Sequence, residues 1–146
     1  MPPAYLLLPL LLAPAWSIPL EGEAPRGEPR PQLLSASMQC DRAPEPGRVR
    51  CTIEAEVSQP LRIRWSEAEI VTVPEFTTPL RARLGRADII SEEPGRIRFA
   101  FALAAKALGR GPLRARVRAV VCEGELRCHP EERTAESTVV VGPAEP

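Results

Sequence analysis

The chain has 146 residues, with 19 basic and 19 acidic side chains, one histidine and four cysteines. Zero formal charge removes any general drive towards nucleic acid, and this length fits one domain with one modest core. All basic residues but Lys106 are Arg and Asn is absent, a bias of composition that leaves no N-glycosylation acceptor.

The first segment, residues 1–17, reads as an export signal. Tyr5 to Ala13 is an apolar, Leu-rich run broken by Pro9, with small residues at Ala15 and Ser17. That is the length of a secretory apolar region and too short to span a bilayer. No Lys or Arg precedes it, so only the terminal amine supplies positive charge. Residues 18–32 carry Pro19, Pro25, Pro29 and Pro31 among Glu, Gly and Arg, which predicts an extended, disordered linker.

From residue 33 to 142 the dominant period is two, the period of strands. In Arg48 to Val57, Val49, Cys51, Ile53, Ala55 and Val57 face one way and Arg48, Arg50, Thr52, Glu54 and Glu56 the other. The same alternation runs through Leu61–Trp65, Leu80–Leu84, Ile97–Leu103 and, longest, Leu113–Val121. Weaker strands are expected at Leu33–Cys40, Glu69–Val73, Ala87–Ile90 and Thr134–Val141. Gly and Pro separate them, notably at Pro44–Gly47, Pro94-Gly95 and Gly109–Pro112. Ala102–Leu108 has the composition of a helical turn, but strand then loop is the expectation. Residues 143–146 form a tail. Short half-buried strands with turn signals every 8–12 residues predict an all-β, immunoglobulin-like antiparallel β-sandwich. Trp65 is expected in its core.

Export gives the cysteines their meaning, because an even count outside the cytosol favours disulfides. Four cysteines allow three pairings; proximity favours Cys40–Cys51 with Cys122–Cys128. Cys40 and Cys51 share the apolar parity of their strands, which predicts an inward structural bridge worth about 3 kcal/mol. Cys122 falls on the parity of Arg114, Arg116 and Arg118, which predicts the outer face or rim. Cys128 follows a polar loop and precedes His129, the only histidine. A bridge closing so short a loop contributes only about 2 kcal/mol.

Three readings of Cys122/Cys128 stand on local chemistry. One is a surface clip. Another is a redox pair whose thiolate Arg127, Arg118 or protonated His129 would favour, against Glu123, Glu125 and Glu131. The last is a metal site, for which Cys122, Cys128 and His129 give three ligands with no evident fourth. The outward rows Arg62/Arg64, Arg81/Arg83, Arg96/Arg98 and Arg114/Arg116/Arg118 read either as a basic surface for an anionic partner or as a face balanced by neighbouring Glu. One histidine beside a cysteine and a proline gives no room for a Ser-His-Asp arrangement. No Gly-rich loop opens a helix, so no cofactor is expected.

The stretch Val120-Val121-Cys122-x5-Cys128-His129-Pro130-Glu131 resembles the N-terminal periplasmic domain of the thiol:disulfide interchange protein family (DsbD). The motif there runs roughly Tyr-Gln-x-Cys-x5-Cys-Tyr-Pro-Pro at the last hairpin of an immunoglobulin-like fold. Cys122, Cys128 and Pro130 match; His129 replaces an aromatic, Glu131 the second Pro, and Val120-Val121 the Tyr-Gln. The resemblance spans about sixteen residues, Arg118 to Arg133, and beyond them extends only as a strand pattern. It implies that Cys122 and Cys128 pass electrons between a membrane thiol carrier and a thioredoxin-like protein. It further implies a cap over the bridge, for which Glu75-Phe76 after Pro74 is the counterpart. No donor or acceptor domain shares this sequence, so both would be separate proteins. The alternative is a non-enzymatic secreted binding or structural module with two inert disulfides, in the periplasm or outside the cell.

Overall fold

A computed structural model describes residues 32–144. The expected export signal (1–17), all of the expected linker (18–32) except Gln32, and the end of the 143–146 tail lie outside the described residues. The elements are β1 (Leu34–Cys40), β2 (Gly47–Val57), β3 (Arg62–Thr72), β4 (Thr77–Pro79), β5 (Arg83–Leu84), a single 3₁₀ turn (Arg86–Asp88), β6 (Ile89–Glu93), β7 (Arg96–Ala105), β8 (Gly109–Glu123) and β9 (Arg127–Val141).

Two antiparallel sheets face each other. One has the order β1-β2-β7, with β4 and β6 on the far side of β7; the other has the order β5-β3-β8-β9. This is the strand order of an immunoglobulin-like sandwich with a short extra strand beside its third strand. Alternation decides which face of each strand is buried. In β2, Val49, Cys51, Ile53, Ala55 and Val57 are buried; in β7, Ile97, Phe99, Phe101, Leu103 and Ala105; in β8, Leu113, Ala115, Val117, Ala119 and Val121. These rows interdigitate into one core, with Phe99 its largest fully buried side chain. One flank is closed by β1 meeting β9. Arg133 Nε donates to the Leu34 carbonyl at 3.0 Å, Ala43 N–H donates to the Val140 carbonyl at 3.2 Å, and Gly142 N–H donates to the Ala43 carbonyl at 2.8 Å.

Several local expectations are corrected. Leu61–Trp65 and Glu69–Val73 belong to one strand, β3, joined through a bulge between Ile63 and Trp65. The extra residue puts Arg64 and Trp65 both outside, and the buried parity resumes at Ser66, Ala68 and Ile70. Trp65 is therefore not core: it is 49% exposed, opposite Val120 on the outer face. The Leu80–Leu84 alternation does not make a five-residue strand. Pro79 ends β4 and only Arg83–Leu84 pairs, leaving Leu80 exposed while Leu84 is buried. Ala87–Ile90 splits at a turn held by Gly85 N–H donating to Asp88 Oδ2 at 2.9 Å, after which β6 runs through Glu92 and Glu93. At the other end, β8 takes in Pro112, which lies beyond the β3 ladder and so interrupts no bond to that neighbour. The stretch after Ala102 is strand to Ala105 and then loop, as the sequence predicts.

Candidate thiol–disulfide site

The two long strands β8 and β9 form a hairpin of fifteen paired positions, from Gly109↔Val141 to Glu123↔Arg127. Gly124, Glu125 and Leu126 make its turn. Gly124 sits at φ +69°, a left-handed conformation that only glycine adopts without cost. Cys122 and Cys128 are direct ladder partners one pair behind this turn, with Cα atoms 4.0 Å apart and their sulfurs bonded. Cys40 and Cys51 repeat the arrangement between β1 and β2, also at 4.0 Å. Both bridges therefore lie within a sheet, joining neighbouring strands, and neither crosses the core.

Burial around the second bridge departs from the sequence expectation. Cys122 has the outward parity foreseen for it but is only 1% exposed. It floors a depression of about 390 Å³ walled by Arg62 and Arg64 of β3 and by Glu92, Glu93 and Pro94 at the β6–β7 turn. That turn belongs to the other sheet and is tied to β3 by Ile63 N–H donating to the Pro94 carbonyl at 2.7 Å. Cys128 is exposed and is the second residue of β9, just after the turn. The bridge thus has one sheltered and one open residue. A thiolate attacks a disulfide at the sulfur it can reach, and the other sulfur leaves.

The neighbours named from sequence distribute differently. Successive residues of a strand face opposite ways, and His129 opposes Val121, on the face away from Cys128. Its Nε2 lies 3.3 Å from Glu131 Oε1; Glu131 in turn pairs with Arg133 at 3.0 Å, and Arg133 holds the Leu34 carbonyl. The histidine belongs to the ladder that ties β9 to β1. Glu75 and Phe76 do not cover the bridge. Phe76 packs its ring over Gly109, where an added Cβ would come within 2.6 Å of it, and its carbonyl accepts from Lys106 N–H. Gly109 opens β8 and Cys122 lies near its end, a strand length on the order of 40 Å away.

The Arg rows are largely self-balanced. Arg114 meets Glu136 at 3.0 Å, Arg118 meets Glu132 at 3.2 Å and Glu67 at 3.8 Å, and Arg116 meets Glu132 at 3.6 Å. On the other sheet Arg96 and Arg98 share Glu54, at 3.5 and 3.4 Å. Such exposed pairs are each worth about 0.2–1 kcal/mol, and they balance Arg96, Arg98, Arg114, Arg116 and Arg118 of the rows. Among the described residues no group of three or more metal-ligating side chains gathers, and no helix is long and apolar enough to cross a membrane.

Fold and site together define an all-β, immunoglobulin-like sandwich stapled by two within-sheet disulfides. No protein family and no curated protein matches the sequence. Among solved structures the chain is similar to BslA, a bacterial hydrophobin, with 13% identity and a TM-score of 0.38 over 75% of this chain and 95% of that one.

Proposed function

We propose that this protein is an exported thiol–disulfide exchange domain in which Cys122–Cys128 opens and closes while the sandwich persists. The observation that carries the reading is the asymmetry of the bridge: an exposed Cys128 joined to a sheltered Cys122 near the end of a hairpin. The DsbD-like motif around it supports the same reading. Export is supported by the apolar run Tyr5–Ala13 and by two formed disulfides, which persist in oxidising compartments. The partners are a thioredoxin-like protein on one side and a membrane thiol carrier on the other.

The exchange balances as follows. A partner thiolate bonds to Cys128 Sγ, the Cys122–Cys128 bond breaks, and Cys122 departs as a thiolate that takes up a proton. The partner's second thiol loses its proton and attacks the mixed disulfide at the partner's own sulfur, releasing Cys128 as a thiolate that takes up a proton; the two protons taken up match those lost by the partner's two thiols, the first having ionised before its attack. Two electrons and two protons have moved: the partner becomes a disulfide and Cys122/Cys128 a dithiol. The reverse sequence begins with Cys128 attacking an oxidised partner.

Single-cysteine variants test the assignment. In Cys122→Ala, Cys128 is expected to alkylate rapidly and, with a protein whose own cysteine pair is oxidised, to form a mixed disulfide as the partner's other sulfur leaves as a thiolate; in Cys128→Ala, Cys122 is expected to alkylate slowly. Equal or inverted rates would remove the assignment. The second reading, an inert secreted binding or structural module, is favoured by one feature: both bridges join direct ladder partners, as sheet staples do.

A further inference from the structure

The outer face of the β3-β8-β9 sheet changes character near the bridge. Over most of its length it is a ladder of ion pairs, Glu67–Arg118–Glu132 and Arg114–Glu136, which satisfy one another. One row nearer the hairpin tip the paired residues are Trp65, Val120 and Pro130, all uncharged, with the bulged Arg64 beside Trp65. The next row is the bridge itself, and beyond it Leu126 stands at the turn, 96% exposed. The open Cys128 therefore has Pro130 two residues on along β9 and Leu126 two residues before it, in the turn. Trp65, at 49% exposure, widens the strip across the sheet.

We infer that Trp65, Val120, Pro130 and Leu126 form the docking surface for the partner, and that the segment seated there is a cysteine-bearing stretch with apolar neighbours. This rests on the exchange function proposed above. Two features choose this occupant. The strip presents on the order of 300 Å² of apolar surface, far less than the roughly 800 Å² per partner of a stable complex, and so fits a transient encounter and not a second copy of the chain. Charges around it nearly cancel: Arg62, Arg64 and Arg127 stand against Glu92, Glu93, Glu123 and Glu125. Selection by charge is thereby weak and selection by apolar contact is left.

Two peptides that differ only in the residues beside a single cysteine, Leu or Ser, provide the probe, with 2-mercaptoethanol as a neutral thiol without flanks. Rates of opening Cys122–Cys128 are divided by the rate of each thiol with hydroxyethyl disulfide, which removes differences in intrinsic reactivity. The Leu-flanked peptide is expected to open the bridge about tenfold faster than the Ser-flanked one, the scale of burying most of one leucine. The ratio should change little between low and high salt. In the Trp65→Ser/Leu126→Ser variant it should fall to near one, with the mercaptoethanol rate retained as evidence that bridge and fold are intact.

Equal rates for the two peptides with the wild-type chain would overturn the docking surface and leave the exchange function standing. A preference that survives the double substitution would place recognition elsewhere and also overturn it. Failure of every thiol to open the bridge would overturn the exchange function and the docking surface with it. Dimerisation or binding to neutral lipid vesicles, lost in the double variant, would give the strip to a second copy or to a lipid surface and refute the inference.

Discussion

Removing the second bridge should weaken the sandwich without dissolving it. The cysteines of this bridge are 6 residues apart and those of the first 11, for which loop entropy gives about 2.2 and 2.8 kcal/mol. Cys122→Ala also deletes a buried sulfur, adding about 1 kcal/mol on the scale of a buried methylene. The double variant Cys122→Ala/Cys128→Ala is therefore expected to lose about 3 kcal/mol, or about 10–15 °C in Tm. Cys40→Ala/Cys51→Ala should lose a similar amount, since Cys51 is buried in the same way. Burial adds the same amount to both variants, so only the difference of about 0.6 kcal/mol from loop length separates them. Urea unfolding with near-UV circular dichroism measures this, and the m-value should stay at that of the wild type. A loss above about 5 kcal/mol, or a lowered m-value, would mean that the bridge cannot open while the sheets stay packed.

Trp65→Ala should cost less than about 1 kcal/mol, because the bulge places the ring outside, whereas Phe99→Ala at the centre of the core should cost about 3–5 kcal/mol; thermal melts compare them. Glu75→Ala and Phe76→Ala should leave the rate of bridge opening by a small thiol unchanged, since both lie at the far end of β8; an accelerated rate would reinstate the cap. His129→Ala should alter the alkylation rate of Cys128 by less than about twofold, its ring lying on the opposite face of β9. The same variant should lower stability by about 0.5 kcal/mol through the lost Glu131 contact.

Much of the fold was legible because strand alternation reports burial directly. β2, β7 and β8 read correctly from the spacing of Val49–Val57, Ile97–Leu103 and Leu113–Val121, and the parity of Cys51 foretold its burial. Trp65 was misplaced because a bulge depends on register with a partner strand. A signal existed nonetheless: Leu61, Ile63 and Trp65 are odd-numbered while Ala68 and Ile70 are even, a slip of phase that an uninterrupted strand cannot contain. Burial of Cys122 had no local signal at all, since its walls include a turn some thirty residues earlier, at Glu92–Pro94. Nor did spacing show that β9 begins at Arg127, because the charged run Glu131–Arg133 lacks apolar alternation and is held by Glu131–Arg133–Leu34 contacts instead. Alternation along β9 sets His129 on the face away from Cys128, where it meets Glu131.

Equilibrating the protein across a series of dithiol buffers, then alkylating and counting modified cysteines, measures the couple itself. A reversible two-electron couple is expected at Cys122/Cys128 at about −180 to −250 mV, with Cys40–Cys51 still oxidised and the sandwich folded. A bridge that stays closed below about −300 mV, or opens only as the sheets unfold, would contradict the exchange function.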